Sequence, residues 1–203
     1  TLLPICERAR FRCARLDATP CALARFGSLY RGPASKADVW GVLDLGVRQT
    51  RLTICVSQVP ILVRSFNNAG RKWTEQLSKA LSVSTEAAER HKRDHGIGLV
   101  KQQRRSNDPF SGSGRVAEMI YNVLRDDIGG VIAELERSYK YEIRCFGDRP
   151  CGPLLLVGGG ASMKKLPELL TEKLGIEVVV PTVDGGGDHC QIDFAPVRDQ
   201  VRE

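Results

Sequence analysis

The stretch Val42-Leu43-Asp44-Leu45-Gly46-Val47-Arg48-Gln49-Thr50-Arg51-Leu52-Thr53 reads as two strands joined by a short turn. Val39 to Leu45 is a largely apolar run, and Leu52, Ile54 and Val56 alternate with other residues across Arg51 to Ser57. That period of two is the mark of a strand with one face buried. A third run, Ile61 to Phe66, follows after another short turn. Three strands so close together predict an antiparallel meander. Taken alone, Asp44-Leu45-Gly46 is equally an ordinary Asp/Gly hairpin turn.

Downstream the period changes. Trp73 to Leu81 predicts a helix, and Ser84 is placed to cap another, with Glu86 in its first turn near the positive helix end. Gly96-Ile97-Gly98 ends that second helix, and the polar, glycine-rich residues 99–113 read as a loop. A long helix is expected over Arg115 to Tyr141, with Val116, Ile120, Val123, Leu124, Val131, Leu135 and Tyr139 as its apolar stripe. Gly129-Gly130 interrupts the pattern and predicts a kink there. Pro153 to Val157 is a strand that runs into Gly158-Gly159-Gly160. Pro167 opens a helix, Gly175 closes it, and Ile176 to Val180 forms the last strand.

Upstream, residues 1–13 read as the end of a helix and Leu16-Asp17 as a short strand. Pro20 opens a helix through Phe26, and Arg31-Gly32-Pro33-Ala34-Ser35 is a breaker cluster that marks a boundary. Meander, helical insert, then alternating helix and strand is a ribonuclease-H-like order. The expected architecture is α/β, a mixed five-stranded sheet with a small helical insert subdomain. Residues 36–67 and 114–181 form the ribonuclease-H-like unit, 68–113 the insert, 1–35 the end of a preceding half with its connecting helix, and 182–203 an irregular tail.

Composition narrows the function. The 203 residues are 42% hydrophobic and 27% charged, as in an ordinary globular protein. No apolar run approaches the roughly 20 residues needed to span a bilayer. The formal charge of +6 comes from 30 basic residues interleaved with 24 acidic ones. Only Lys101-Gln102-Gln103-Arg104-Arg105 clusters, without an aromatic residue inside it, which argues against a nucleic-acid partner. Cys6, Cys13, Cys21, Cys55, Cys145, Cys151 and Cys190 are odd in number and irregular in spacing, so reduced cytoplasmic thiols are expected rather than a disulfide framework or zinc site. His91 and His95 stand four apart, with Lys92 and Arg93 between them, and read as a charged helix face.

Three segments carry a resemblance to actin-like ATPases, the superfamily that also holds sugar kinases and heat-shock chaperones. Asp44 to Thr53 resembles the second phosphate loop, a hairpin whose backbone N–H groups face a phosphate. There Gly46 permits close approach and Asp44 offers one hard oxygen ligand to Mg²⁺ through its water shell. Leu156-Val157-Gly158-Gly159-Gly160-Ala161-Ser162 resembles the adenosine loop; no Gly-Lys-Ser/Thr makes it a Walker A loop, and by itself it is also a tight strand-to-helix turn. Ala87 to Arg93 resembles the helix that wraps the nucleotide's sugar and base. Glu89 and Lys92 share one of its faces, as they would in a plain solvated helix with an internal ion pair.

Within the superfamily, Thr74-Glu75-Gln76-Leu77, Glu86-Ala87-Ala88-Glu89 and Leu16 to Arg25 resemble PilM-type pilus assembly proteins over roughly residues 10–181. The resemblance implies the C-terminal half of a nucleotide-binding scaffold. It would be cytoplasmic and peripheral at the inner membrane, serving type IV pilus or related secretion assembly, with at most weak ATPase activity. It implies ATP and Mg²⁺ held by Asp44, Gly46, Thr50, Gly70, Glu89, Lys92, Gly158, Gly159 and Gly160, with binding by this half alone expected to be weak. The implied partner is the cytoplasmic tail of an inner-membrane pilus assembly protein.

Some residues depart from the pattern. Asn67-Asn68-Ala69-Gly70 stands where paired glycines are usual, and Arg48 is bulky for a phosphate hairpin. A sugar or small-metabolite kinase of the same fold would need a base beside a sugar site, and no residue is evidently placed for it. A nuclease of this topology would need clustered carboxylates, and only Asp44 is well placed. An FtsA-type cell-division protein would carry an amphipathic C-terminal helix, for which Pro196 to Glu203 is short and polar.

Overall fold

The computed structural model describes residues 3–13, 16–31, 39–98, 112–147 and 151–181. Residues 99–111 of the expected loop, the breaker cluster at 32–35, the basic cluster at 101–105, Cys190 and the tail 182–203 lie outside them; residues 112 and 113, expected in that loop, are helical instead. The elements are α1 (Leu3–Arg8), α2 (Thr19–Arg31), β1 (Val39–Leu45), β2 (Thr50–Val56), β3 (Val59–Phe66), α3 (Gly70–Leu81), α4 (Thr85–His95), α5 (Gly112–Phe146), β4 (Cys151–Val157), α6 (Leu166–Leu174) and β5 (Val178–Val179).

The strands form one mixed sheet in the order β3-β2-β1-β4-β5. β1 pairs antiparallel with β2 and parallel with β4, and β4 is parallel to β5. This is the ribonuclease-H-like arrangement of actin-like ATPases. β1 is central, which explains why every residue in it but Asp44 is buried. Its side chains alternate between two cores. Trp40 and Val42 join Ala24 of α2, Cys55 and Leu155 on one face. Val39, Leu43 and Leu45 join the larger core on the other, where α5 lays down Ile120, Leu124, Ile128, Val131 and Leu135.

Several local expectations needed revision. Leu16 and Asp17 are not a strand. Asp17 instead accepts from the Ala18 amide at 2.8 Å and pairs with Arg25, anchoring the chain as it enters α2. β3 begins at Val59 and carries Pro60, which an outer strand paired on one side tolerates. The last strand shrinks to two residues. α5 is longer than expected and runs through Gly129 and Gly130 without a break. Elsewhere the local chemistry acts as read: Ser84 accepts from the Ala87 amide at 3.2 Å, and Gly175 ends α6 in the left-handed conformation.

Candidate functional site

The carboxyl ends of β1 and β4 lie side by side, with Asp44 in register with Val157. Ends of parallel strands are where open α/β sheets bind ligands. Two turns leave from here. After β1 the chain makes a tight hairpin, in which the Gly46 amide donates to the Gln49 carbonyl at 3.2 Å. A Cβ on Gly46 would sit 2.8 Å from that oxygen. After β4 the glycines enter a 3₁₀ turn, Gly159–Ser162.

The insert closes over both turns. Ala69 leads into α3 without a side-chain cap. Hairpin carbonyls replace one: Gly46 O accepts from the Gly70 amide at 3.0 Å and Val47 O from the Arg71 amide at 2.8 Å. At the other end, the Ile97 amide donates to the Lys164 carbonyl at 3.0 Å, and Lys164 Nζ donates to the Asp94 carbonyl at 2.6 Å. These bonds frame a cavity of about 370 Å³ between sheet and insert. Among the described residues, no backbone carbonyl accepts from the amides of Val47, Arg48 or Gln49, so the hairpin keeps donors to spare.

The cavity collects parts of all three motif segments. Gly46, Gly70, Glu89, Lys92, Gly159 and Gly160 line it. Asp44, Thr50 and Gly158 do not. Thr50 is buried and its hydroxyl donates to the Asn68 carbonyl at 2.6 Å, so it braces the hairpin from behind. Gly158 backs onto Asp44. A Cβ there would fall 2.6 Å from Asp44 Oδ1, and its φ of 86° already lies in a region that favours glycine. Asp44 has no hydrogen-bond or ion-pair partner among the described residues.

On the insert wall a polar network is fully engaged. Lys92 Nζ, with its side chain 8% exposed, donates to Glu89 Oε2 at 2.5 Å, to Thr74 Oγ1 at 2.8 Å and to the Gly70 carbonyl at 3.3 Å. Thr74 Oγ1 lies 2.6 Å from Glu89 Oε2 and 2.9 Å from the Gly70 carbonyl, and its one hydrogen serves one of them. Arg93 Nε donates to Glu89 Oε1 at 3.0 Å. Burial works against ionisation of Glu89, but the donors from Lys92, Thr74 and Arg93 outweigh it and hold the carboxyl below its ordinary value. The Glu86 carboxyl, also on the wall, is held low by its own amide and by the Ser84 and Thr85 hydroxyls.

The sequence reading missed Trp73, Thr74, Met163 and Asn68. Trp73 is buried and lines the cavity beside Thr74 and Met163. In sequence it looked like an ordinary apolar helix position. Asn68 lies just outside the cavity and appeared only as a departure from a glycine pair, yet its side chain accepts from Trp73 Nε1 at 2.7 Å.

Comparison with solved structures gives the fold a setting. The type IV pilus biogenesis complex of PilM and PilN matches with a TM-score of 0.59 at 26% identity, covering 82% of this chain and 42% of that one. The ethanolamine utilization protein EutJ from Carboxydothermus hydrogenoformans matches with a TM-score of 0.55 at 20% identity, covering 80% and 48%. MreB5 of Spiroplasma citri, solved with bound ADP, matches with a TM-score of 0.54 at 18% identity, covering 88% and 58%. The chain thus spans about half the length of these proteins. Residues 41–192 match the model of the family described as cell division protein FtsA. With most of its length inside that match and a PilM-type protein among its structural neighbours, the chain belongs to the FtsA family of actin-like ATPases.

Proposed function

We propose that the chain supplies one side of the nucleotide cleft of an actin-like scaffold serving type IV pilus or related secretion assembly. The observation that supports this reading is the cavity that gathers the phosphate hairpin, the adenosine loop and the Glu89–Lys92 face around one volume. About 370 Å³ falls in the usual range for a small-molecule site. Spare amides at Val47 to Gln49 suit a phosphate, and Glu89 suits a hydroxylated sugar as an ionised acceptor. Gly159, where a Cβ would meet nothing within 4 Å, leaves room for a base.

The unpartnered Asp44 carboxylate fits Mg²⁺, which commonly takes one or two carboxylates together with phosphate oxygens and water. The ion would supply charge neutralisation at the phosphates. This chain's own part is to aim the hairpin, exclude water with the Trp73 wall and keep Lys92 neutralised by Glu89. In this reading ATP acts as an ordering ligand, and the coupling runs from the cleft to a partner-binding surface. The protein would be cytoplasmic and peripheral at the inner membrane. Its partner would be the cytoplasmic tail of an inner-membrane pilus assembly protein, a proposal drawn from the PilM–PilN complex. Among the described residues, no helix is long and apolar enough to cross a membrane.

The family match supports a second reading, a cell-division scaffold on the same nucleotide cleft. Titration of the chain with Mg-ADP, followed by thermal shift and by ¹⁵N NMR, tests the shared part. Millimolar nucleotide should shift the signals of Val47, Gly159 and Glu89. Shifts confined to other regions would sink the site. Pull-down with pilus-assembly tail peptides or with division-protein tails then separates the two readings.

A further inference from the structure

Two features that look unfavourable in sequence meet in space. Asn68 replaces a glycine expected before α3, and Gly130 sits in the interior of α5, where glycine weakens a helix. The Asn68 side chain reaches α5 and its Nδ2 donates to the Asp127 carbonyl at 2.5 Å. A Cβ on Gly130 would lie 3.2 Å from that same nitrogen. The adjacent Gly129 would meet nothing within 4 Å. Gly130 is therefore the seat that lets a carboxamide approach the helix backbone, and Gly129 is not.

Asn68 uses each of its side-chain heteroatoms and its carbonyl on a different element. Oδ1 accepts from Trp73 Nε1 in α3 at 2.7 Å, Nδ2 bonds α5, and the backbone carbonyl accepts from Thr50 Oγ1 at the start of β2 at 2.6 Å. Lys72 Nζ adds an ion pair to Asp127 Oδ1 at 2.8 Å across the same α3–α5 joint. We infer that Asn68, seated on Gly130, is a positioning residue that fixes the Trp73 wall and the hairpin relative to α5, and so sets the shape of the cavity. The inference rests on the nucleotide reading for the cavity's purpose, but not for the clamp itself. A hydrogen-bonded carboxamide held at both ends has little freedom to yield to a new methyl group, which separates the two glycines sharply.

The test compares Gly129→Ala, Gly130→Ala and Asn68→Ala in the full chain without ligand. Gly129→Ala should raise the melting temperature by about 2–4 °C, the usual gain for alanine inside a helix in a protein of this size. Gly130→Ala should give no such gain and should move the Trp73 indole N–H signal. Asn68→Ala should speed exchange of the Trp73 indole proton about fivefold or more, as expected for a lost hydrogen bond. The Trp40 indole, which donates to the Ser57 carbonyl, should stay unchanged as an internal control. Should Asn68→Ala fail to fold, Gly130→Ala carries the same readouts with Asn68 retained. Equal stabilisation by both glycine variants, with an unmoved Trp73 signal, would overturn the clamp. Mg-ADP titration then probes the purpose: Asn68→Ala should bind about tenfold more weakly than wild type. Unchanged affinity in Asn68→Ala would overturn the positioning role, whereas a wild type that binds no ADP while the ligand-free readouts hold counts against the nucleotide reading alone.

Discussion

Gly158, Gly159 and Gly160 are consecutive in sequence, yet the structure gives them three different reasons to be glycine, so alanine at each should have a different outcome. At Gly160 a Cβ would lie 2.3 Å from both Cγ and Cδ2 of Leu45, a side chain only 1% exposed. Such overpacking costs about 1–3 kcal/mol. In a chain of 203 residues that lowers the melting temperature by roughly 2–4 °C per kcal/mol. At Gly158 two costs add. The backbone, at φ 86° and ψ 175°, sits in a region essentially confined to glycine, worth about 1–3 kcal/mol. The new methyl would also stand 2.6 Å from Asp44 Oδ1 and 2.8 Å from the Leu45 carbonyl, so Asp44 must move. Gly158→Ala should be the most destabilising of the three and should weaken any Mg²⁺-dependent binding as well. At Gly159 a Cβ meets nothing, so Gly159→Ala should leave stability within about 0.5 kcal/mol of wild type. Gly159→Val should retain the fold while obstructing the cavity. Melting curves of the four variants, paired with Mg-ADP titrations, check the order. Gly159→Ala as damaging as Gly160→Ala would refute the assignment of Gly159 to the cavity wall.

Other substitutions probe the remaining links. Asp44→Ala should abolish the Mg²⁺ dependence of nucleotide affinity with little change in melting temperature; equal affinity in both proteins would leave Asp44 a turn residue. Glu89→Gln should cost about 1–3 kcal/mol, because it leaves the buried Lys92 ammonium short of its counter-ion, reduced by the partial exposure of Glu89. Since the folded-state pKa of Glu89 is lowered, its contribution is present above the ordinary carboxylate pKa of about 4.3 and fades as pH falls through the folded value. The mutational cost should therefore shrink on acidification below about pH 4, and a constant cost there would contradict the pairing. Gly27→Ala in α2 should destabilise by about 1–3 kcal/mol despite better helix propensity, since its Cβ would meet Trp40 at 2.2 Å; a stabilised variant would show that α2 does not pack as described. Burial pushes the Cys55 thiol up to about 12, so it should resist alkylation in the native state and react fully after unfolding.

Much of the sheet was legible because its signals are local. The apolar run of β1 follows from its central place in the sheet, and the alternation of Leu52 and Ile54 marked β2 as a strand, although Thr53 and Cys55 on its other face are buried too. Gly175 and Ser84 act through one turn of chain, which a sequence reading handles well. The failures share a different cause. Leu16 and Asp17 have strand-like apolar and polar character, but Asp17 spends its carboxylate on Ala18 and Arg25, and among the described residues no strand pairs with them. Gly130 read only as an interruption of the helix, because its use is 62 residues away, in the side chain of Asn68. Trp73 read only as the first residue of a helix, for a similar reason. A buried indole in a helix carries no local mark of the cavity that its helix will face. Thr50 and Gly158 lie in the motifs, but the structure places them behind the cavity wall, bracing residues that face it. Which member of a motif faces a ligand is decided by side-chain direction after packing, and spacing alone does not report it.

The distribution of charge around the cavity bears on what it can hold. The insert wall is rich in charged residues, but they are largely committed: Lys92 and Arg93 to Glu89, and Arg71 to Glu75 at 2.9 Å. Committed charges attract a new ion weakly, because any bond to it must displace one already made. The sheet side is the reverse. The hairpin has few charges but, among the described residues, keeps amides without backbone acceptors, and Asp44 keeps a carboxylate without a donor. A ligand with anionic groups at one end and a largely neutral body fits this polarity, with the anion and its cation at the sheet and the body against Trp73 and Met163. A uniformly charged ligand fits worse, since the insert wall would have to break its own pairs. In the nucleotide reading this places phosphate recognition on the sheet and leaves the insert to shape and to the Glu89 contact with the sugar. Loss of affinity on substituting Lys92, Arg93 or Arg71 should then follow lost stability rather than a changed salt dependence, whereas Asp44 should govern the response to Mg²⁺.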